Sequence, residues 1–408
     1  MVELKEISSS GSEKKGKNDE MEQFGRWGQL PLELVREVVS RLPVKSIARF
    51  ECVSRMWQGW ISEPNFRLSV APPVRERVLM VLESSSRSTP VKYKMLFYSL
   101  GSGFSVERLP IPREPVLSST LDFFGTCNGL ILVFANEKMF LWNPYTGACR
   151  LMPHLYDVAN AFQIPDVSAS GVCFDKVSNE YKAVIVVCDS EGPEIDCVLV
   201  YRLRGGERRY CTDFPYLFRL DPPIRDRGVV VSGHLHWIMR RQDDNHSPVI
   251  IYFDEEVDQF GELPMPPLIS GDGSSLGITV LQGCLCIYQS GVGEDSFDDD
   301  DDHTYVFIMN EYGVPESWSV LFTLRGGFKP IASYVSSRLV LVSRSGDSFF
   351  TYHLDTNSLV EIDWAPLDLL LVKEKGPDDD EEEIPVDLPL HYSCPFAFVE
   401  SLTSVDFI

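Results

Sequence analysis

The sequence predicts a mainly β protein with a small all-α module near its N-terminus, followed by a β-propeller of six blades, with seven as the alternative count. Two observations predict this. From Trp27 to about Val70 apolar residues recur at helical spacing, and after Pro72 and Pro73 short β-branched or aromatic runs alternate with turn residues. A strand-and-turn unit then recurs every 40 to 50 residues or so, the period of four-stranded propeller blades.

The β region can be divided into six such units. They are Arg77–Pro112, Phe124–Pro153, Gly171–Cys211, Gly228–Pro267, Leu276–Leu324 and Ile331–Trp364. Three units place a polar residue and a glycine directly before an apolar strand, at Asn128-Gly129, Ser232-Gly233 and Gln282-Gly283. We expect the late strand-like segment Pro395–Leu402 to pair with the first unit and close a ring, because a ring covers both faces of every sheet. A β-sandwich or two smaller β domains remain the alternatives.

Charge and composition limit the classes of partner. The 408 residues carry a formal net charge of −23, so we expect no nucleic-acid partner. Two acidic runs, within loops near residues 294–303 and 374–384, are expected to be solvated. No apolar run approaches the roughly 20 residues of a membrane span, and the polar residues 1–24 resemble a disordered tail rather than a secretory signal. We therefore expect no membrane partner, and a location in the nucleus, the cytoplasm or both.

Cysteine and histidine patterns predict no metal site. The chain has ten cysteines, and those in apolar runs, such as Cys173, Cys188 and Cys197, are expected to be small buried hydrophobic residues. The pairs Cys284/Cys286 and His234/His236 should each share one face of a strand, without the spacing of a zinc site. No complete Gly-x-x-x-x-Gly-Lys-Ser/Thr phosphate loop is present in the sequence. We therefore expect neither a cofactor nor a catalytic residue.

The helical module carries more large apolar side chains than it can bury. Leu30, Leu34 and Val38 fall at i, i+4 and i+8 on one helix face, Pro31 suits the first turn, and Pro43 should end the helix. Ser46 is the expected N-cap of a second helix, whose apolar side comprises Ile47, Phe50, Val53 and Trp57. Small domains bury little surface, so the surplus indicates a partner surface.

The module is also basic within an acidic chain. Between Arg26 and Ser62 there are six basic and three acidic residues, a balance of about +3. Such a module suits an acidic partner. A chance fluctuation of a few charges is the alternative.

The segment Trp27–Trp57 resembles an F-box. It contains Leu-Pro at the start and at the end of a helix, then Lys-Ser-Ile, Arg-Phe, Val-Ser and a closing Trp. The strings Cys127–Leu130 and Trp142–Gly147 are similar to those of the F-box-associated, kelch-like propeller domain of plant F-box proteins. The resemblance implies an F-box at residues 25–70 and a propeller at residues 75–405. It also implies that these residues bind Skp1: Leu30, Pro31, Leu34, Val38, Leu42, Pro43, Ile47, Val53 and Trp57.

The resemblance further implies a substrate-recognition subunit of a Skp1–cullin–F-box ubiquitin ligase, with an acidic Skp1-family protein linking it to the cullin and the RING/E2 module. A propeller scaffold without ligase function and a propeller enzyme are the alternatives. The protein target cannot be read from the sequence, since specificity lies in variable loops. Exposed loop residues are candidates for its capture, among them Tyr216, Phe218, Arg225 and Arg227.

Overall fold

The computed structural model describes most of the apolar segments of the chain. The described residues are 32–42, 44–63, 66, 76–86, 89–99, 107–108, 121–135, 138–144, 146–152, 167–188, 195–211, 214–217, 226–242, 247–269, 276–290, 303–333, 338–344, 348–362 and 391–399. The chain divides into two compact units, residues 1–73 and 74–408. The predicted tail, residues 294–302 and residues 374–384 lie outside the described residues.

The first unit contains three described helices, α1 (Leu32–Ser40), α2 (Val44–Glu51) and α3 (Arg55–Ile61). Ser54 is the N-cap of α3, where its hydroxyl accepts a hydrogen bond from the Trp57 N–H at 3.3 Å. The predicted cap of the second helix is wrong, because α2 begins at Val44 and Ser46 lies within its first turn. No described helix is long and apolar enough to cross a membrane.

The second unit is mainly β, with sheets in a propeller-like arrangement. Its first three sheets, in chain order, are A, B and C. Sheet A contains β1 (Glu76–Ser86), β2 (Thr89–Ser99), β3 (Glu107–Arg108) and β26 (His391–Val399). Sheet B contains β4 (Leu121–Cys127), β5 (Leu130–Ala135), β6 (Lys138–Trp142) and β7 (Cys149–Leu151). Sheet C contains β8 (Val167–Asp175), β9 (Glu180–Cys188), β10 (Ile195–Arg202), β11 (Arg208–Cys211) and β13 (Asp226–Arg227).

The next three sheets are D, E and F. Sheet D contains β12 (Tyr216–Leu217), β14 (Val229–Val231), β15 (His234–Arg241), β16 (Pro248–Asp254) and β17 (Gln259–Leu263). Sheet E contains β18 (Leu276–Leu281), β19 (Cys284–Gln289), β20 (His303–Met309) and β21 (Trp318–Arg325). Sheet F contains β22 (Phe328–Ser333), β23 (Leu339–Arg344), β24 (Ser348–His353) and β25 (Ser358–Glu361). A 3₁₀ turn, Pro315–Ser317, precedes β21.

The strands of a sheet follow one another in antiparallel order, and the late strand is an exception. β26 pairs antiparallel with β1, which confirms the predicted pairing of the C-terminal segment with the first unit. Sheet A therefore combines strands from both ends of the β region. The short β12 and β13 are further exceptions, since β12 pairs with β15 and β13 pairs with β8 in parallel.

The predicted polar-glycine turns are tight hairpins. Asn128 and Gly129 have φ values of 49° and 76°, and Gln282 and Gly283 have 54° and 76°. Two consecutive residues with positive φ are the mark of a type I′ turn, which matches the right-handed twist of the strands that it joins. A polar residue followed by glycine therefore predicted the position and the backbone conformation of these turns.

The core lies between the sheets, and each of sheets D and E is buried on both faces. Trp237 of β15 packs toward sheet C, and its neighbour Ile238 packs toward sheet E. Successive side chains of a strand point to opposite faces, so a sheet between two others needs apolar residues at every position. This explains why β15 is an almost continuous buried run rather than an alternating one.

Candidate functional site

The helices of the first unit combine a small core with an exposed apolar face. Val35, Val39 and Ile47 are buried, as are Trp60 and Ile61. Aromatic rings pack along α2 and α3: Phe50 and Trp57 are stacked with centroids 5.1 Å apart, and Trp57 and Trp60 are tilted with centroids 5.0 Å apart. Leu34 and Val38, in contrast, are each 48% exposed. Helix α1 is therefore apolar both toward the core and toward solvent.

The structure divides the nine predicted Skp1-binding residues into groups. Leu34, Val38 and Val53 are exposed, Leu42 and Trp57 are half-buried, and Ile47 is fully buried. Leu30, Pro31 and Pro43 lie outside the residues whose placement is described. Because Ile47 has no accessible surface, it belongs to the core that supports the helices. Met56, 45% exposed on α3, is an apolar surface residue that the sequence reasoning missed.

Sheets C and D are joined by a buried polar cluster around Lys182, which the sequence reasoning also missed. The Lys182 ammonium lies 3.0 Å from Asp175 Oδ2 and 2.7 Å from Asp258 Oδ1, and donates to the backbone carbonyl of Glu255. Lys182 has no exposed side-chain surface. Asp258 also accepts from Arg202 Nη2 at 3.1 Å. Two carboxylates thus compensate one buried cation.

The charges of this cluster are mutually stabilised. Burial alone would raise the pKa of Asp175, but hydrogen bonds from Ser178 and Lys182 outweigh it and lower that pKa to about 2. Burial would lower the pKa of Lys182, and the bonds to Asp258 and Asp175 raise it instead. All three groups are therefore ionised at neutral pH, so the cluster is a link between sheets rather than a proton-transfer site.

Two histidines of β15 contact Tyr312, which lies in the connection between β20 and β21 of sheet E. His236 Nε2 lies 2.8 Å from the Tyr312 hydroxyl, and His236 Nδ1 lies 3.3 Å from the Val229 carbonyl. Since the carbonyl can only accept, Nδ1 carries the proton and Nε2 accepts from Tyr312. Burial lowers the pKa of His236 to about 4, so the ring is neutral at pH 7. Both His234 and His236 contact Tyr312, which confirms that they share a strand face.

Within the described part of the chain, His234, Asp254 and Glu255 bring ligand-type atoms within 4.8 Å of one another. His234 Nδ1 lies 2.8 Å from Glu255 Oε2. Asp254 Oδ1 accepts hydrogen bonds from the N–H groups of Glu256 and Val257. A hydrogen bond and a turn account for these contacts, and the absence of a metal site stays a prediction.

The cysteines of the described strands behave as apolar residues. Burial raises the pKa of the Cys127 thiol to about 12 and that of Cys286 further. Cys173 and Cys197 are buried and unpaired by disulfides, as expected. Cys284 and Cys286 both pack into the core between sheets E and F, which confirms their shared face. Burial also raises the pKa of Cys173, so the thiols of Cys127, Cys173 and Cys286 are not ionised nucleophiles at neutral pH.

Two of the four residues predicted for target capture, Tyr216 and Arg227, are not exposed loop residues. Tyr216 is 8% exposed, and its hydroxyl donates to Glu262 Oε1 at 3.0 Å. Arg227 Nε donates to the Phe123 carbonyl at 2.9 Å, and its guanidinium lies over the Phe123 ring. Both therefore join parts of the β unit. Phe218 and Arg225 lie outside the described residues.

Both units match known domain families. Residues 27–69 match the F-box domain, and residues 80–364 match the F-box associated beta propeller domain. An F-box/kelch-repeat protein of Arabidopsis thaliana is 27% identical over 317 residues, covering 73% of this chain and 80% of the relative. The Arabidopsis thaliana F-box protein CPR1 is 25% identical over 343 residues, covering 77% of each. The chain therefore belongs to the family of plant-type F-box proteins that carry an F-box domain followed by an F-box associated β-propeller domain.

Proposed function

We propose that the protein is the substrate-recognition subunit of a Skp1–cullin–F-box ubiquitin ligase. Its F-box binds a Skp1-family protein, which links it to the cullin and the RING/E2 module, and its propeller binds a protein target for ubiquitination and degradation. The observation that carries the proposal is the exposed apolar face of helices in a segment that matches the F-box domain.

Exposed apolar surface supports a docking role for this face. Full burial of a Leu or Val side chain contributes about 1.5–3 kcal/mol, and Leu34 and Val38 each leave about half of their surface available. The Skp1-binding set comprises Leu30, Pro31, Leu34, Val38, Leu42, Pro43, Val53 and Trp57, with Ile47 supporting them from the core. The rings of Phe50 and of the buried Trp60 pack against Trp57.

The role of the β unit is to position a target, and the chain needs no catalytic residue of its own. Holding a target lysine beside an activated thioester raises its effective concentration. The propeller is a ring of six blades closed by β26. The sheets support this count because β4 packs against β8, β8 against β15, β15 against β18, β18 against β22, and β22 against β26. The protein acts in the nucleus, the cytoplasm or both.

A pull-down with a purified Skp1-family protein tests the proposal. Full-length protein should retain Skp1, and the double variant L34D/V38D should lose it by roughly a hundredfold or more, because two charges replace apolar contacts. The matched control is V177D/V257D, since these valines are 76% and 55% exposed in turns of the β unit. Equal Skp1 binding by the two double variants would show that α1 is not the docking face. If the unsubstituted chain also fails to bind, the protein is an interaction scaffold instead.

A further inference from the structure

Strand β25 ends sheet F, and all of its side chains are exposed. Among the described strands it pairs only with β24. Leu359 is 38% exposed and Val360 is 52% exposed. Because successive side chains of a strand point to opposite faces, β25 exposes an apolar side chain on each face.

The strands that end the other sheets carry features that discourage further pairing. β3 has only two residues, β7 and β11 carry arginines, and β17 carries Glu262, which is ion-paired with Arg241. The register of β21 shifts at Leu321, which is an extra, bulged residue. Charged side chains, bulges and short length are devices by which proteins protect the edges of sheets. β25 has no bulge, and its first charged residue is Glu361 at its end.

The hydrogen bonds between β24 and β25 determine which backbone groups point outward. Ile362 N, directly after β25, donates to the Phe349 carbonyl at 2.9 Å. Hydrogen-bonded and non-hydrogen-bonded pairs alternate along an antiparallel ladder. The two pairs that contain Glu361 and Leu359 are therefore non-hydrogen-bonded. The N–H and C=O groups of these two residues consequently point away from β24, toward a strand that would extend sheet F.

The outer part of sheet F is acidic. Residues 348–361, which form β24, β25 and their turn, contain Asp355 and Glu361 but no lysine or arginine. Asp355 is paired with Arg338 at 2.7 Å. Within the described part of the chain, Glu361 has no ion-pair partner. This edge therefore favours a strand that brings a cation to Glu361.

A second copy of this chain is a poorer partner for the same edge. Its β25 would bring a second Glu361 to the interface, and each copy has a net charge of −23. A net charge far from zero keeps proteins monomeric by mutual repulsion. Charge thus favours a partner that is a different, basic segment.

We infer that β25 captures an extended segment of the protein target, which adds to sheet F as a further strand and places a lysine or arginine opposite Glu361. This inference rests on the proposed function and names the chemistry of the target. Leu359 and Glu361 point to one face and Val360 to the other. An antiparallel segment that also presents apolar side chains to Leu359 and Val360 would match both faces. In such strand addition, backbone hydrogen bonds provide affinity and alternate side chains provide specificity.

Fluorescence anisotropy with full-length protein tests the chemistry of the segment. The probe is a labelled peptide of about eight residues with Lys-Val-Val-Thr at its centre, long enough to cover β25. A second probe replaces the lysine with glutamate. The unsubstituted protein should bind the lysine peptide about fivefold more tightly, and Glu361→Lys should reverse this preference. A preference that Glu361→Lys leaves unchanged would overturn the inference.

Methylation of single peptide nitrogens separates strand addition from simple charge attraction. In the inferred register the second valine of the probe lies opposite Leu359 and its N–H points toward β25, whereas the N–H of the first valine, opposite Val360, points away. N-methylation of the second valine should weaken binding by about tenfold, and N-methylation of the first by no more than about twofold. Equal effects would contradict strand addition. Both measurements use the unsubstituted protein, so they do not depend on the folding of a variant.

Substitution of the two exposed apolar residues locates the site. L359N/V360N removes the apolar side chains without changing charge and should weaken binding of the lysine peptide by about tenfold. The matched control is V320N, because Val320 is 45% exposed on β21, the bulged strand that ends sheet E. This control should stay within about twofold. Equal binding by the two variants would place the peptide elsewhere and overturn the inference.

Two further measurements separate the inference from its alternatives. In sedimentation velocity the unsubstituted chain should be monomeric, and a dimer that L359N/V360N dissociates would assign the edge to a second copy instead. Skp1 pull-down with all variants should match the unsubstituted chain. Failure of peptide binding with Skp1 binding intact overturns this inference alone, whereas failure of the unsubstituted chain to bind Skp1 overturns the proposed function.

Discussion

Lys182 shows how a single residue links two sheets of the β unit. It follows Tyr181 in an apolar strand, and its ammonium is enclosed by Asp175 of its own sheet and Asp258 of the next. A buried charge costs little only while its partners remain, so removal of Lys182 leaves Asp175 without its cation and Asp258 with Arg202 alone.

Replacing Lys182 with methionine should therefore lower the free energy of unfolding by about 3–5 kcal/mol, the cost of breaking a buried ion pair. Urea denaturation, monitored by tryptophan fluorescence, measures this loss in the free energy of unfolding. Lys176→Met, an exposed lysine in the turn after β8, is the matched control and should change stability by less than about 0.5 kcal/mol. A loss for Lys182→Met no larger than the control's would show that the cluster contributes nothing net.

His236 makes the stability of the β unit depend on pH. Its pKa is lowered from 6.5 to about 4 by burial between Val229 and Tyr312. Between these values the unfolded chain binds a proton that the folded chain does not, so stability falls as pH decreases from about 6.5 to about 4. The total loss is on the order of 3 kcal/mol.

The His236→Gln variant should lose this part of the pH dependence while it keeps an acceptor for Tyr312. Free energies of unfolding at pH 7 and pH 4.5 measure the difference for each chain. The loss between the two pH values should be smaller in the variant by at least about 1 kcal/mol. An identical loss in both chains would assign the acid sensitivity to other groups.

At the scale of elements, neighbouring sheets approach closely where β4 meets β8. A Cβ at Gly125 would lie 2.9 Å from Gly171 Cα and 2.9 Å from Val172 N, and the φ of Gly125 is +150°. The obstructing atoms are backbone, which cannot rotate away. This glycine therefore fixes the contact between sheets B and C.

Gly125→Ala should destabilise the β unit by about 1–3 kcal/mol, from overpacking and backbone strain together. Gly327→Ala is the control, because a Cβ there meets nothing within 4 Å. Thermal melting of the two variants gives the comparison. A melting temperature for Gly125→Ala equal to that of the control would mean that the two sheets can move apart at little cost.

The elements also show what the sequence could and could not predict. Tight turns were predictable because Asn-Gly and Gln-Gly act locally. The cap at Ser46 was wrong because a proline is compatible with the start of a helix as well as with its end, so Pro43 could not fix where α2 begins. The pairing of β26 with β1 had no local sequence signal. It was predictable only because a closed ring covers both faces of every sheet, so a late strand was expected to pair with the first unit.

The burial and the partners of single residues could not be predicted where they depend on contacts between residues that are distant in the sequence. A lysine in the apolar strand β9 signals a buried partner, but Asp258 is 76 residues away along the chain. Tyr216 was expected to be exposed because its segment is irregular in sequence. It is buried because the two-residue strand β12 pairs with β15 and the tyrosine hydroxyl reaches Glu262.

At the scale of the whole molecule, we propose a different role for each of the two units: the first binds Skp1 and the second binds the target. The first exposes an apolar helical face within a basic segment, and the second is a set of sheets whose cores lie between one another. Since each unit is compact by itself, loss of one interface should leave the other intact. This separation allows the central claim to be tested in a single experiment.

The half-life of proteins captured by the β unit tests the claim most directly. Proteins that co-purify with the chain under proteasome inhibition are identified by mass spectrometry, and their half-lives are then compared in cells expressing the unsubstituted chain or L30A/P31A. Both chains should bind the same protein, which should be degraded quickly with the first chain and persist with the second, whose Skp1 binding is weakened roughly a hundredfold or more. Equal half-lives, with Skp1 binding lost, would contradict the assignment of this protein as the recognition subunit of a ubiquitin ligase.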